Sequence, residues 1–259
     1  MEAQKKKISE IKEELKAADA MLPYFIERHQ RDARAGVVKL VEQAKARLAR
    51  LDAERERTRK LKKYEEEYGA CGMVCGVDEV GRGPLAGPVV AGAVILPRDC
   101  DILYINDSKK LSAAKREELY DIIMKRAVAV GIGMVGPDRI DQINILQATY
   151  EAMREAISKL GETPDILLND AVTIPGIDIR QIPIIKGDAK SISIGAASIV
   201  AKVTRDRLMV EYDGIMPEYG FAANKGYGSA VHIAALKKHG PSPIHRRSFI
   251  GNFIDGSYI

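Results

Sequence analysis

The sequence predicts an α/β domain behind a helical N-terminal extension, on three observations. Residues 1–70 contain one proline, Pro23, and are dense in Glu, Lys, Arg and Ala, with apolar residues at helical spacing. From Gly72 onward, short apolar runs of strand length alternate with longer amphipathic segments. Strands with interleaved helices are the pattern of an α/β sheet. The boundaries read this way are a helical extension over 1–70 and an α/β domain over 71–259.

Each element follows from its local pattern. Ile8, Ile11 and Leu15 line one helix face, and Val37, Val41, Ala44, Leu48 and Leu51 line another, which predicts two or three amphipathic helices. The charged run ERERTRKLKKYEEEYG reads as a solvated exit from them. MVCGVDEV and PVVAGAVIL read as strands, SAAKREELYDIIMKRAVA as a helix, and VAVGIGMV as a third strand. In DQINILQATYEAMREAISKL, the residues Ile143, Leu146, Tyr150, Met153, Ile157 and Leu160 form one helical stripe. DILLND and IRQIPIIKG are short strands. SISIGAASIVAKVTRDRLMVEY, rich in small and β-branched residues, predicts a centrally buried helix. A loop, a short helix near SAVHIAALKKH and an irregular tail complete the chain.

Composition excludes several classes. With 46% hydrophobic residues among 259, the chain can bury a sizeable core. There is no Trp and only four Phe, which argues against a stacking platform as the main binding device. Cys71, Cys75 and Cys100 have no zinc spacing and are expected to be free thiols in a reducing compartment. No apolar run approaches the roughly 18 residues of a membrane span, and the opening MEAQKKKISEIKEELK lacks a signal peptide's apolar centre, so a cytoplasmic protein with no membrane partner is expected. Residues 1–70 hold 18 Lys+Arg against 14 Asp+Glu, and the remainder is balanced at 22 against 22. Any nucleic-acid binding must therefore come from local clusters rather than from a strong overall field.

The stretch GVDEVGRGPLAGP, residues 76–88, carries the first chemical signal. Gly81-Arg82-Gly83-Pro84-Leu85-Ala86 fits the dinucleotide fingerprint G-x-G-x-x-G/A after a strand. The context contradicts it. Pro84 and Pro88 bracket the turn, the following segment has a strand pattern, and Asp78 and Glu79 would face a pyrophosphate without a cation. A P-loop fails because no Gly-Lys-Ser/Thr follows. Asp170 ends the apolar strand ILLND, and Asp188 precedes a helix. Acids at the ends of separate strands can converge on one site, where hard divalent cations bind oxygen ligands and stabilise a carboxylate cluster. Strand neighbours point to opposite faces, so Asp78 and Glu79 are not both inward side chains of a regular strand. Either the strand ends there, or Glu79 acts through its carbonyl or a water.

In order and context, GVDEVGRGPLAGPVVAGAVIL, DSKKLS, LLNDAVTIP, IIKGDAKSISIGAASIVAKVTRD, YGFAANKGYG and HRRSF resemble the blocks of bacterial ribonuclease HII. The resemblance spans residues 72 to about 253 and implies a ribonuclease H-like mixed sheet flanked by helices. It implies metal-binding catalytic acids at Asp78, Glu79, Asp170 and Asp188, holding two divalent ions, Mn²⁺ or Mg²⁺. Gly81, Arg82 and Gly83 match a loop whose backbone approaches the 2′-hydroxyl and phosphates at the scissile site. Tyr227 matches a tyrosine that stacks on the sugar of the following deoxynucleotide. Lys109, Lys110, Lys190, Arg246 and Arg247 are candidate phosphate contacts, with Lys109 and Lys190 foremost. The implied activity is hydrolysis of RNA in RNA–DNA hybrids and cutting 5′ of ribonucleotides in duplex DNA, leaving 3′-hydroxyl and 5′-phosphate ends. RNA primer removal and ribonucleotide excision are the implied roles, for a monomer. The alternative is a non-catalytic nucleic-acid-binding module.

Overall fold

The computed structural model describes residues 6–18 and 20–254. Residues 255–259 of the expected irregular tail lie outside the described residues. The chain forms two compact units, Met1–Arg59 and Lys60–Ile259.

The first unit contains α1 (Ile8–Ala17), α2 (Leu22–His29) and most of α3 (Ala35–Leu61). Ile11 and Leu15 from α1, Leu22 and Phe25 from α2, and Val37, Leu40, Val41 and Ala44 from α3 form one apolar cluster. Most of both predicted helix faces is therefore buried in it, although Ile8 at the start of the first stays 41% exposed, Leu48 is only partly buried and Leu51 lies outside the cluster. The predicted solvated exit is different from its reading. Its residues continue α3 and then form α4 (Lys63–Tyr68). Leu61 is 5% exposed in the core of the second unit, and Tyr64 and Tyr68 pack against another cluster there. Three side chains at i, i+3 and i+7 give that charged run a partly buried stripe, and residues 60–70 fall in the α/β unit.

The second unit is built on a five-stranded sheet ordered β3-β2-β1-β4-β5. Its strands are β1 (Val74–Val80), β2 (Val89–Ile95), β3 (Ala129–Val135), β4 (Ile166–Asp170) and β5 (Arg180–Ile184). β1, β2 and β3 pair antiparallel, whereas β4 and β5 run parallel to β1, giving a mixed sheet. Helices flank it: α5 (Ala113–Arg126), α6 (Pro137–Ser158) and α7 (Ile192–Ile215), followed by the shorter α8 (Phe221–Asn224), α9 (Ala230–His239) and α10 (Arg247–Ile250). One face of the sheet packs on α6 through Ala148, Ala152, Met153 and Ala156. The other packs on α7 and α5, with Leu119, Ile123, Ile199 and Val200 fully buried. Burying each such large side chain stabilises the fold by roughly 1.5–3 kcal/mol. Cys75 and Cys100 are buried free thiols, and burial pushes the Cys75 thiol up to about 12.

α7 lies on the strands at backbone contact. A Cβ at Gly76 of β1 would meet the Ser193 carbonyl carbon at 2.1 Å, and one at Gly92 of β2 the Ala197 oxygen at 2.6 Å. Only glycine permits this approach, and it brings Ser198 of α7 against the end of β1. α6 departs from its predicted single stripe. Asn144 has φ 66°, and its Oδ1 accepts from the Leu146 and Gln147 amides at 3.0 and 3.2 Å, so it caps a restarted helix. The break shifts the helical phase and leaves Leu146 40% exposed, while Met153 and Ile157 remain buried. Among the described residues, no helix is long and apolar enough to cross a membrane.

Candidate active site

The four predicted acids lie at one end of the sheet and its adjoining turn. Asp78 is on β1, paired with Gly92, and is only 6% exposed. The Ser198 hydroxyl donates to its carboxylate, and Ser198 in turn bonds the Ser108 hydroxyl at 3.0 Å. Asp170 ends β4, and its Oδ1 accepts the Gly187 N–H at 2.7 Å, tying the Gly187–Ala189 turn to the strand end. Asp188 stands in that turn. A Cβ at Gly195 of α7 would lie 3.1 Å from the Asp188 carbonyl and 2.8 Å from Ile105, so the segment leading to Asp107 also closes over the helix here.

Glu79 is the exception. β1 keeps its pairing with β2 through Val80, with no bulge at Asp78 or Glu79. The alternation of a regular strand therefore sends Asp78 towards α7 and Glu79 to the other face. The Glu79 carboxylate sits 3.5 Å from the Arg82 guanidinium. Among the described residues, the pairing of β1 with β4 stops at Val77, short of Asp78–Val80.

Electrostatics mark this as an incomplete charge arrangement. Burial pushes the Asp78 carboxyl well above the ordinary carboxylate range, with the charges of Glu79 and Asp170 adding to it and the Ser198 hydroxyl opposing. Burial raises Glu79 as well, opposed by Arg82 and reinforced by Asp170. Burial raises Asp188, with Asp107 and Asp170 adding and Lys109 opposing. The donors are all hard oxygens, which suits Mg²⁺ or Mn²⁺ over softer ions. Among the described residues, no three His, Cys, Asp or Glu side chains stand close enough to hold one ion as placed. The acids form an open cluster within electrostatic range of one another.

A pH dependence follows. These carboxyls hold protons more tightly folded than unfolded, so without a cation their contribution to stability is greatest below the ordinary carboxylate range. It is lost as pH rises through the raised values. Thermal melting in chelator should therefore fall with rising pH across that window. Added Mg²⁺ or Mn²⁺ should raise Tm at neutral pH and have little effect in acid. A cation shift equal at both pH values would refute the cluster as the binding place.

Next to the acids, the segment 81–88 is held from behind. Leu85 and Ala86 donate to the Gly226 carbonyl at 2.8 and 3.3 Å, joining the loop to the segment that carries Tyr227. Tyr227 is 42% exposed, and its Cε1 lies 3.8 Å from where a Gly83 Cβ would stand. Two buried histidines hold its backbone. Ser242 N–H donates to His245 Nδ1 at 2.9 Å, so the His245 proton resides on Nε2 and is donated to His232 Nε2 at 2.9 Å. His232 Nδ1–H then donates to the Tyr227 carbonyl at 2.9 Å. Burial pushes His245 down to about 3, which keeps it neutral.

Lys109, Lys110 and Lys190 are exposed. Lys109 follows Asp107, whose Oδ1 accepts its amide at 2.9 Å, and Lys109 is the cation nearest in effect to Asp188. Arg246, expected as a phosphate contact, is 0% exposed and spends its donors on main-chain carbonyls of the glycine loop, so it does not reach a ligand. Arg247 remains on the surface, with its amide on Asp141 at 2.7 Å. Sequence reasoning missed Ser198, Asp107, Arg205 and the His232–His245 pair. Arg205 carried a legible signal: it shares an i, i+4 stripe with Ala201 and Met209, both buried. A cavity of about 720 Å³, lined by Glu65, Met73, Val74, Ile192 and Ser193 among others, lies at the opposite end of β1 and includes none of the four acids.

Comparison with known proteins bears on the family and the fold. The profile of the family described as Ribonuclease HII matches residues 75–252, and that of the Ribonuclease HII N-terminal domain matches residues 7–69. The chain is 64% identical over 247 residues to a Ribonuclease HII of Lachnoclostridium phytofermentans, covering 95% of this chain and 97% of that protein. It is 50% identical over 244 residues to a Ribonuclease HII of Bacillus subtilis, covering 93% and 95%. Among solved structures, ribonuclease H2 from Pyrococcus horikoshii OT3 superposes with a TM-score of 0.58 at 30% identity, covering 68% of this chain and 93% of that one.

Proposed function

The chain belongs to the ribonuclease HII family, whose members are metal-dependent endonucleases degrading RNA in RNA–DNA hybrids, and we propose that it cuts 5′ of ribonucleotides embedded in duplex DNA as well. Asp78, Asp170 and Asp188 would hold two divalent ions, Mn²⁺ or Mg²⁺, once their side chains draw together around them, with Glu79 contributing through its carbonyl or a water. Ions bound there supply an activated water and stabilise the leaving oxygen of the phosphodiester. The products carry 3′-hydroxyl and 5′-phosphate ends.

The chain's own residues do the reading. Gly81, Arg82 and Gly83 bring main-chain groups within range of the 2′-hydroxyl, the one group that separates RNA from DNA at a given position. Arg82, 45% exposed at its side chain, turns from Glu79 to the backbone phosphate when substrate arrives. Tyr227 offers its flat face to a sugar lacking the 2′-oxygen. Lys109 and Lys190 hold flanking phosphates as point charges. The observation that carries this reading is the meeting of Gly83 and the Tyr227 ring beside the buried acids. Every residue named comes from one chain, so a monomer suffices. The α/β unit carries the chemistry, and the helical unit contributes to substrate affinity. Primer removal and ribonucleotide excision in the cytoplasm are the roles such an activity serves.

The test is cleavage of a duplex with one ribonucleotide, compared with a continuous hybrid, in chelator, Mg²⁺ and Mn²⁺. Absence of metal-dependent cleavage by the wild type would favour a binding module instead. Tyr227→Ala should cut the single-ribonucleotide junction roughly 5–100-fold more slowly, the worth of one stacking contact. An undiminished rate would reject the stacking role.

A further inference from the structure

Two arginines stand behind the glycine loop, both 0% exposed. Arg205 Nε donates to the Pro88 carbonyl at 2.9 Å, its Nη2 to Ala86 at 3.0 Å, and its Nη1 to Lys225 at 2.8 Å. Arg246 Nε donates to the Gly87 carbonyl at 3.0 Å, and Nη2 donates to Gly87 at 2.8 Å and also to Gly81. Arg246 Nη1 reaches the Arg82 carbonyl at 2.9 Å. Among the described residues, neither guanidinium forms an ion pair. Burying a guanidinium without a carboxylate is costly unless its donors are all satisfied. Here every guanidinium nitrogen has a main-chain carbonyl partner, and all of those carbonyls except that of Lys225 belong to the loop beside the acids.

Peptide geometry gives this clamp a consequence. In a trans peptide the C=O and the next N–H point to opposite sides, and the described residues contain no cis bond. Drawing the Gly81 and Arg82 carbonyls inward therefore turns the Arg82 and Gly83 N–H groups outward. Among the described residues neither N–H has an acceptor. Gly83 faces the Tyr227 ring, so the outward side is the side of the proposed substrate. Two successive free N–H groups make a concavity suited to an oxyanion or hydroxyl oxygen.

We propose that Arg246 is a positioning residue for the cleavage reaction: by holding the Gly81 and Arg82 carbonyls inward, it presets the Arg82 and Gly83 N–H groups as paired donors to the ribonucleotide and its phosphate. This rests on the function proposed above. Lysine cannot substitute, because one ammonium cannot span three carbonyls in the plane that the guanidinium fork reaches.

The test compares Arg246→Ala and Arg246→Lys in the full chain, each in an Asp170→Asn background so that binding is read without cleavage. The measured quantity is the Kd ratio between an all-DNA duplex and the same duplex with one ribonucleotide. Folding is followed by melting. The wild-type side chain at 246 should favour the ribonucleotide duplex, and both replacements should reduce that preference about tenfold, the worth of one or two hydrogen bonds. A folded variant that keeps the full preference would overturn the inference. If neither variant folds, amide exchange of the chain with Arg246 intact decides. Arg82 and Gly83 should gain protection with the ribonucleotide duplex and not with the all-DNA duplex, and equal exchange in both would overturn it. Cleavage by the unmodified enzyme is the control. Its failure counts against the proposed function, whereas success with preference retained in the variants counts against Arg246 alone.

Discussion

Asp78→Asn should yield a protein that folds, binds duplex and has lost cleavage by roughly four powers of ten, about 5 kcal/mol of barrier. In chelator it should also melt higher than the wild type. Both effects come from the same burial. Asp78 is 6% exposed and has Glu79 and Asp170 within electrostatic range, so its ionised form is disfavoured in the fold. Asparagine keeps the shape and can still accept the Ser198 hydroxyl, but it carries no charge to desolvate. The native carboxylate thus costs stability in the absence of a cation, a cost that function retains. With Mg²⁺ or Mn²⁺ the order should reverse, because the wild type gains binding energy that the variant lacks. Cleavage is followed on a duplex with one ribonucleotide, and Tm in chelator and in each metal. Cleavage near the wild-type rate would remove Asp78 from the metal set. A lower Tm in chelator would mean that its carboxylate stabilises the fold by some contact other than those described.

Much of this was legible in the sequence, for identifiable reasons. Strands β1, β2 and β4 are apolar runs covered on both faces, whereas β3 alternates between buried and partly exposed residues and β5, RQIPI at the sheet edge, is largely exposed. The acids were legible because carboxylates at the ends of apolar strands have few structural uses. Two misreadings have one origin, a local pattern overruled by tertiary packing. In 54–69 the charges are dense, yet Leu61 is buried and Tyr64 and Tyr68 are partly buried along one edge. In α6 the apolar stripe was read through Asn144, where the helix breaks and restarts on a side-chain cap. Arg246 failed for another reason. An arginine beside a second arginine looks like a phosphate contact, and nothing local indicates that its partners are carbonyls some 160 residues away in sequence, Gly81, Arg82 and Gly87. The division of labour between Asp78 and Glu79 was half legible. Alternation separated their faces, but only the uninterrupted pairing through Val80 shows that the strand does not bend to reunite them.

The two glycines of the loop should separate when each is replaced by alanine. Gly81 has φ 93°, and a Cβ there would stand 2.4 Å from Arg205 Nε and 2.7 Å from the Pro88 carbonyl. Alanine must then pay the left-handed penalty, about 1–2 kcal/mol, and also displace a buried guanidinium. Gly81→Ala should therefore lower Tm and activity together. Gly83 is not in the positive-φ region, and among the described residues the only atom within 4 Å of its Cβ would be Tyr227 Cε1 at 3.8 Å. Gly83→Ala should fold as well as the wild type or slightly better, since it restricts the unfolded chain by about 0.4–1 kcal/mol. Its methyl, however, would occupy the gap between loop and ring where the ribose must enter. Losing one oriented donor contact at a reacting centre costs roughly 10²–10³ in rate, and a loss of that order is expected for Gly83→Ala in kcat/KM on the single-ribonucleotide duplex. Stability and catalysis then move in opposite directions at one glycine and together at its neighbour two residues away. If Gly83→Ala cleaves within about twofold of the wild type while folded, the gap beside Tyr227 is not where substrate binds. The reading would then lose its recognition surface while the acid cluster stood untouched.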